Sequence, residues 1–561
     1  MSTETFRPYR KRLAFLFVLV AWICFPTKSL FAAPASVTTY QSGWIDRSGP
    51  YPVLHISGSE KEMGEQYGYL AGDLVKANIE NLIQVTKNRD PKLFKWFPDG
   101  LFTFLRRAVG LLFWNKFPKE NKDHILGIIE GAKKRPDKIK INKFDLAFLN
   151  SIIDLVGITD GITENIARLK AKLKKGNAKK ERPSLTQFFD FLSVPHFTNQ
   201  CDTFAAWGPR TVQGKTFQTR NTDLDTGEGL EKYPLVIIFK KSGKIPIAAA
   251  SFAGMTGVFA GMNAYGVSLG QVWGFSYDIK INTPWQIVTR NLFSEAQTAE
   301  EVARAWEKIG STTYGTNFIY ADSGELSHGQ KVGYAVEASG KYVASFHGND
   351  PKEKLALVNG EQYSMPLENA IARADFSMDQ KMRLRSYGAN GPKGDPRTTG
   401  SYRLRYQGQI DRIIDYEKQG ILIGQPEAET ISRETAARDG NLHNSVYANT
   451  DREMWVAVAR VLPDGTVRQA YEEPYIHVPF NQHLIVAQAK GHTGEIAISR
   501  WAPTAPKNVL LVVSRGNQVI DQRRIFVALT SVTAPVSTQP GDIIEIYDTA
   551  GTRLLDRTIA R

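Results

Sequence analysis

Residues 168–200 constrain this chain more than any other stretch. Arg168, Lys170, Lys172, Lys174, Lys175, Lys179, Lys180 and Arg182 crowd together against Glu181, and Pro183 and Pro195 interrupt the residues beyond the lysines. Such a segment buries little and repels itself, so it reads as an exposed basic linker. The pattern before it is mainly helical and the pattern after it is strand-rich. The chain therefore has to fold as differently textured parts that meet at this linker, which ends just before Cys201.

The linker also explains the charge. Of the net +13, residues 168–182 carry +7 and residues 1–35 carry +4, which leaves the rest of the chain close to neutral. A basic isoelectric point of this origin does not describe a basic binding face, so nucleic acid is not an expected partner. With 42% hydrophobic and 23% charged residues over 561 positions, the composition is globular, and the length allows roughly three or four domains.

Residues 7–12 are basic, residues 13–25 are apolar, and Ala33-Pro34-Ala35 offers small residues where a signal peptidase reads. The apolar run is shorter than the roughly 20 residues of a membrane span. The reading is a cleavable secretory signal, cut after Ala35, on a secreted or periplasmic protein. No later segment reaches 18 apolar residues, so no stable membrane span is expected after signal removal. Cys24 leaves with the signal. Cys201 is then the one thiol of an exported chain, either a buried small hydrophobe or a reactive group.

Residues 36–167 begin with short strands and continue as helices. Ser59 and Glu62 form a capping pair ahead of Tyr67, Leu70, Ala71, Leu74 and Val75, which recur at helical spacing. Residues 122–134 and 143–156 are further helix candidates. From Cys201 the texture changes: residues 203–208 and 216–220 read as strands around a turn at Gly214-Lys215. Strand and helix blocks then alternate to residue 480, an α+β pattern that suits two sheets flanked by helices. Residues 481–561 show short, evenly spaced strands, the pattern of a small β-sandwich.

Several familiar sites are not supported. The nine histidines are scattered, and neither HExxH nor CxxC occurs, so no metal site is expected. Gly266-Val267-Ser268-Leu269-Gly270 fits GxSxG in form, but strand and turn residues come after it where a nucleophile elbow needs a helix. Asp223-Leu224-Asp225 reads as the turn at a strand end.

Cys201 needs a base to act as a nucleophile, and His196, in the linker, is no compelling partner. Cutting the chain before Cys201 supplies another base, the freed α-amino group, with an unperturbed pKa of about 7.7–8.0. That solution asks for a dispensable linker before the cysteine, a strand after it, and a cation and a carboxylate on the neighbouring strand. Arg220 and Asp223, at the end of the partner strand, meet the last demand.

The stretch CDTFAAWGPRTVQGKTFQTRNTD, residues 201–223, resembles the start of the catalytic chain in the choloylglycine hydrolase and acyl-coenzyme A:isopenicillin-N acyltransferase-like group. That pattern is a cysteine, a strand, a turn and a second strand ending in R-N-x-D. Gly58-Ser59-Glu60 with Gly64-Glu65-Gln66-Tyr67-Gly68 is similar to the group's helical propeptide. Gly261-Met262-Asn263-Ala264-Tyr265-Gly266-Val267 resembles its GxNexGl segment, residues 401–406 its serine-then-arginine segment, and His443-Asn444-Ser445-Val446-Tyr447 its late hSvv strand.

The resemblance implies an N-terminal-nucleophile hydrolase with an αββα sandwich that cuts itself into an α-chain and a β-chain. Cys201 would be nucleophile and, through its amine, base, with Arg220 and Asp223 as the R-N-x-D pair. Asn369 is the candidate oxyanion asparagine. Arg403 is the candidate later arginine, with Arg405 nearly as good, and a backbone N–H near residues 271–273 would complete the oxyanion hole. A small acyl-amide substrate is implied, and no metal or organic cofactor. The competing readings are a phospholipase-B-like ester hydrolase and an inactive envelope binding protein. The subunit state is left open, a homo-oligomer included.

Overall fold

The computed structural model describes residues 36–89, 99–173, 201–227, 229–490, 495–527, 531–536 and 538–560. The expected signal segment 1–35 with its expected cut after Ala35, most of the basic linker and Gln200 lie outside the described residues.

Strands β1 (Val37–Tyr40), β2 (Gly43–Asp46) and β3 (Val53–Gly58) lead into helices α1 (Glu60–Arg89), α2 (Asp99–Trp114), α3 (Lys119–Lys134), α4 (Lys143–Leu149) and α5 (Ile152–Leu173). The capping pair at the start of α1 is present: Ser59 N–H donates to Glu62 Oε2 at 2.8 Å. The helix expected over 143–156 is two helices separated by Asn150 and Ser151, and the Asn150 amide donates both to Leu146 O of the first helix at 2.9 Å and to Gly254 O at 2.8 Å.

After Cys201 come β4 (Asp202–Ala206), β5 (Phe217–Asp223), β6 (Pro234–Lys241), β7 (Ile247–Phe252), β8 (Ala260–Asn263), β9 (Ser268–Trp273), α6 (Trp285–Phe293), α7 (Ala299–Ile309), β10 (Thr316–Ala321), β11 (Gly333–Ala338) and β12 (Val343–His347). Then come β13 (Ala370–Ala374), α8 (Gln407–Gln419), α9 (Gln425–Thr435), β14 (Asn441–Ala448), β15 (Glu453–Val458) and β16 (Ile476–Val478). Two sheets result. One has ten strands in the order β1-β2-β3-β6-β7-β8-β9-β10-β11-β12, and the other has six in the order β13-β4-β5-β14-β15-β16.

The sheets face each other, α7 covers the outside of the larger at β10–β12, and α9 covers the smaller at β5 and β14. This is a mixed α+β architecture of two sheets between helical layers. The N-terminal strands are part of it. β3 pairs in parallel with β6 from Val53↔Val236 to Gly58↔Lys241, so the segment before the linker is woven into the larger sheet.

Residues beyond β16 form β17 (Ile485–Lys490), β18 (Glu495–Arg500), β19 (Asn508–Arg515), β20 (Gln518–Phe526), β21 (Ser531–Pro535), β22 (Ile543–Tyr547) and β23 (Leu554–Ile559). They make a three-stranded sheet β17-β18-β21 and a four-stranded sheet β20-β19-β22-β23. Val509, Leu511, Val513, Ile544 and Ile546 are buried within this unit, the inward face of alternating strands.

Candidate active site

β5 marks the site by its composition. Its sequence is FQTRNTD, and all seven residues are buried. Burying so many polar groups is costly unless each finds a partner, so this strand has to be held by a network. The positive φ of Gly214, +69°, lets the chain turn between β4 and β5. The two strands then pair from Asp202↔Asn221 to Ala206↔Phe217.

Side chains alternate across the sheet, and the alternation sorts the polar residues into two sets. Thr203 and Arg220 face the larger sheet, and by the same parity so does Cys201. Gly270 on β9 admits Thr203, because a Cβ there would meet Thr203 Oγ1 at 1.9 Å. Ser268 and Gly270 of the GxSxG sequence are therefore part of the seam between sheets, with Ser268 Oγ bound to Gln218 and to Asn449 Nδ2.

Arg220 is fully buried yet bonded by neutral acceptors. Nε donates to Gln271 O at 3.2 Å, Nη2 to Gln271 Oε1 at 2.9 Å and Nη1 to Phe259 O. The Phe259 ring lies 4.4 Å from the guanidinium carbon. Among the described residues no carboxylate pairs with it, so its field is not cancelled locally.

Cys201 is 4% exposed and unpaired. Burial pushes its thiol well up, Asp375 and Asp223 push it further, and Arg220 and the Asp223 backbone N–H work against them. In the continuous chain the sulfur is therefore neutral.

Asp202, Asn221 and Asp223 face the opposite side, toward α8 and α9. Arg405 donates to Asp223 Oδ2 through Nε at 3.1 Å and Nη2 at 3.0 Å, and Asn441 Nδ2 donates to Asp223 Oδ1 at 2.8 Å. Burial still raises the Asp223 carboxyl above its usual range against these contacts. Asp202 accepts from Asn221, Gln409 and Thr435. Its carboxyl is pushed up to about 7 by burial and by Asp223, with Arg405 opposing.

The candidates from sequence divide accordingly. Cys201 and Arg220 share the inner face, while Asp223 reaches the thiol through its backbone N–H and turns its carboxylate to Arg405 and Asn441 on the other side. Asn369 does not join them: β13 runs antiparallel to β4 with Ala370↔Ala206 and Ala374↔Asp202, so Asn369 precedes the far end of the strand. It sits in a turn at φ +54°, its carbonyl accepting from Trp207 N at 3.0 Å. Arg403 is exposed and donates to Arg397 O at 3.2 Å and Thr398 O at 3.0 Å. Arg405, two residues on, occupies the cluster instead. The backbone donor expected near residues 271–273 exists as Trp273 N–H, but it is engaged by Asp375 Oδ1 at 2.9 Å.

Asp375 is a residue that sequence reasoning misses. The signal for it would have been recognising the short strand Ala370–Ala374 as the neighbour of β4, which a five-residue segment containing Arg373 does not advertise. His443 on β14 is buried opposite Thr222, and burial with the nearby Arg220 holds its pKa down to about 3. It is a neutral packing residue against Phe259. Among the described residues no group of three or more His, Cys, Asp or Glu could hold a metal ion.

No family model matches this sequence, and no curated protein matches it. Solved structures resemble it at low identity. An N-acylethanolamine-hydrolyzing acid amidase ortholog from Caenorhabditis elegans is 14% identical with a TM-score of 0.31, covering 50% of this chain and 100% of that one. Penicillin V acylase from Agrobacterium tumefaciens is 13% identical with a TM-score of 0.28, covering 48% of this chain and 84% of that one. A conjugated bile acid hydrolase variant from Clostridium perfringens is 13% identical with a TM-score of 0.30, covering 49% and 96%.

Proposed function

We propose that this protein is an exported, self-processing hydrolase that uses Cys201 as an N-terminal nucleophile to cleave a linear amide bond through an acyl-thioester. One observation carries the reading. The free cysteine of the described chain directly follows the basic linker, opens a buried strand, and shares a face with a guanidinium held by neutral acceptors. A thiol is activated by such an uncancelled positive charge.

The thiol is used twice. In the first use, Sγ attacks the Gln200 carbonyl, the peptide shifts from nitrogen to sulfur, and water hydrolyses the thioester. This frees the α-amine of Cys201. In the second, that amine takes the thiol proton, and the thiolate attacks the carbonyl of an acyl-amide substrate. The ammonium returns its proton to the departing amine nitrogen, and water releases the acyl group. Proximity comes without further ordering, because base and nucleophile belong to one residue.

The test is the mature N-terminus. The purified wild-type chain should run as two pieces, with Cys201 first in the larger, and Cys201→Ala should stay whole. Splitting of that variant at 200/201 would exclude self-processing. Matched amide and ester probes then separate an amidase from a phospholipase-B-like ester hydrolase.

A further inference from the structure

We propose that Asp375, as a neutral carboxylic acid, donates the hydrogen bond that stabilises the oxyanion formed when Cys201 attacks a carbonyl. The proposal rests on the reading of Cys201 as nucleophile.

Position comes first. Ala374 is the β13 partner of Asp202, so Asp375 follows at the Cys201 end of the strand. Arg373, paired with Thr203, reaches Glu337 of the larger sheet. By parity Asp375 belongs to that same inner face, where Trp273 N–H of the larger sheet meets Oδ1 at 2.9 Å.

Charge comes second. The groups around Asp375 are Cys201, Asp223, Asp202 and Arg405. Arg405 commits Nε and Nη2 to Asp223 and lies 3.9 Å from Asp202. Among the described residues no Lys, Arg or His lies within ion-pairing distance of Asp375, which is 0% exposed. Three carboxylates beside one guanidinium leave uncompensated buried negative charge, and the acid without an ion pair is the most readily neutralised. Burial drives its carboxyl well above the usual range, against the nearby charge of Arg405 and the hydrogen bonds from Trp273 N–H and Ser401, and Asp223 adds a smaller push upward.

Orientation comes third. Trp273 N–H donates to Oδ1 at 2.9 Å, and Ser401 Oγ donates to Oδ2 at 3.1 Å while accepting the Asp375 N–H at 3.1 Å. The Trp273 N–H is thus occupied by Oδ1, and an O–H on Oδ2, which accepts from Ser401, is the donor that this acid can offer an oxyanion. A carboxylic acid kept neutral by an apolar site can act as such a donor. In the step itself the C–S bond forms, the carbonyl π pair moves to oxygen, and Asp375 keeps its proton while sharing it. The carbonyl reforms as the C–N bond breaks, with the proton from sulfur ending on nitrogen.

Self-cleavage also passes through an oxyanion, formed on the Gln200 carbonyl, and needs no external substrate. Full-length wild type, Asp375→Asn and Asp375→Ala, made by cell-free translation, can be followed on gels for cleavage at 200/201 across pH. An amide N–H replaces the acid donor, so Asp375→Asn should cut within about 10-fold of wild type. Asp375→Ala should be slower by about 10²–10³-fold, the usual loss of one oxyanion donor. Wild type should slow at alkaline pH as the acid ionises, and Asp375→Asn should not. If Asp375→Asn is as slow as Asp375→Ala, or Asp375→Ala matches wild type, the proposal is overturned while self-processing stands. If wild type never cuts, the nucleophile reading fails and takes this proposal with it.

Discussion

Arg405 grips Asp223 with two nitrogens, 3.1 and 3.0 Å from one carboxylate oxygen, and both side chains are at most 4% exposed. Removing the arginine would strand a buried carboxylate. Arg405→Ala should therefore cost about 3–5 kcal/mol in unfolding free energy. Arg403→Ala, on an exposed side chain, should stay within about 0.5 kcal/mol. Denaturant titration of the two variants checks the pair.

Asn369 is defined by its backbone conformation, at φ +54°. Asn369→Gly should leave stability and self-cleavage nearly unchanged, because glycine tolerates that region. Asn369→Ala should be destabilised by about 1 kcal/mol without slowing self-cleavage. A cleavage rate that fell in both variants would return Asn369 to the chemistry.

Asp202 makes stability depend on pH. Its folded pKa, about 7, is above its unfolded value, so between pH 4 and pH 7 the native state binds the extra proton. Its contribution therefore favours the folded state below that window and is lost as pH rises toward 7. Asp202→Asn should lose less stability than wild type from pH 4 to pH 7, the gap closing by on the order of 4 kcal/mol. Unfolding free energies at several pH values measure the slope.

The piece before the linker should stay bound after cleavage. Besides the β3–β6 pairing, Glu60 accepts from His124 Nδ1 at 3.0 Å and from Arg290, with Lys241 at 3.4 Å. Burial opposes the charge on Glu60, but Arg290, His124 and Lys241 hold its pKa well below normal. The two pieces should co-elute in size-exclusion chromatography and part only in denaturant. Glu60→Ala, which leaves Arg290 buried without its carboxylate, should lower stability by about 3–5 kcal/mol.

The C-terminal unit is fastened by Lys240, whose Nζ donates to Asp556 Oδ1 at 2.7 Å, Ile485 O at 2.9 Å and Leu555 O at 3.1 Å. Asp556→Ala strands a buried ammonium and Lys240→Met strands a buried carboxylate, both side chains being 3% exposed. Each single variant should speed hydrogen exchange across the C-terminal unit, and the double variant, which leaves no unpaired charge, should be milder than either. A double variant exchanging faster than both single ones would refute this role.

The sequence alone determined the local facts. The strand–turn–strand after Cys201, helix α7 with its Thr298–Glu301 capping box, and the strands of the C-terminal unit arise from short-range pattern and capping. The pairing of β4 with β5, which sets Cys201 on one face with Arg220, is equally local, because a hairpin is a local structure. Only the tertiary structure decided that Arg405 and not Arg403 enters the cluster, that Asn369 sits at the far end of its strand, and that Asp375 follows β13 at the Cys201 end. Those choices depend on which edge of β4 the strand β13 joins and in what register. Register between segments more than 160 residues apart in the chain is set by packing of the whole sheet, and no neighbouring residues encode it.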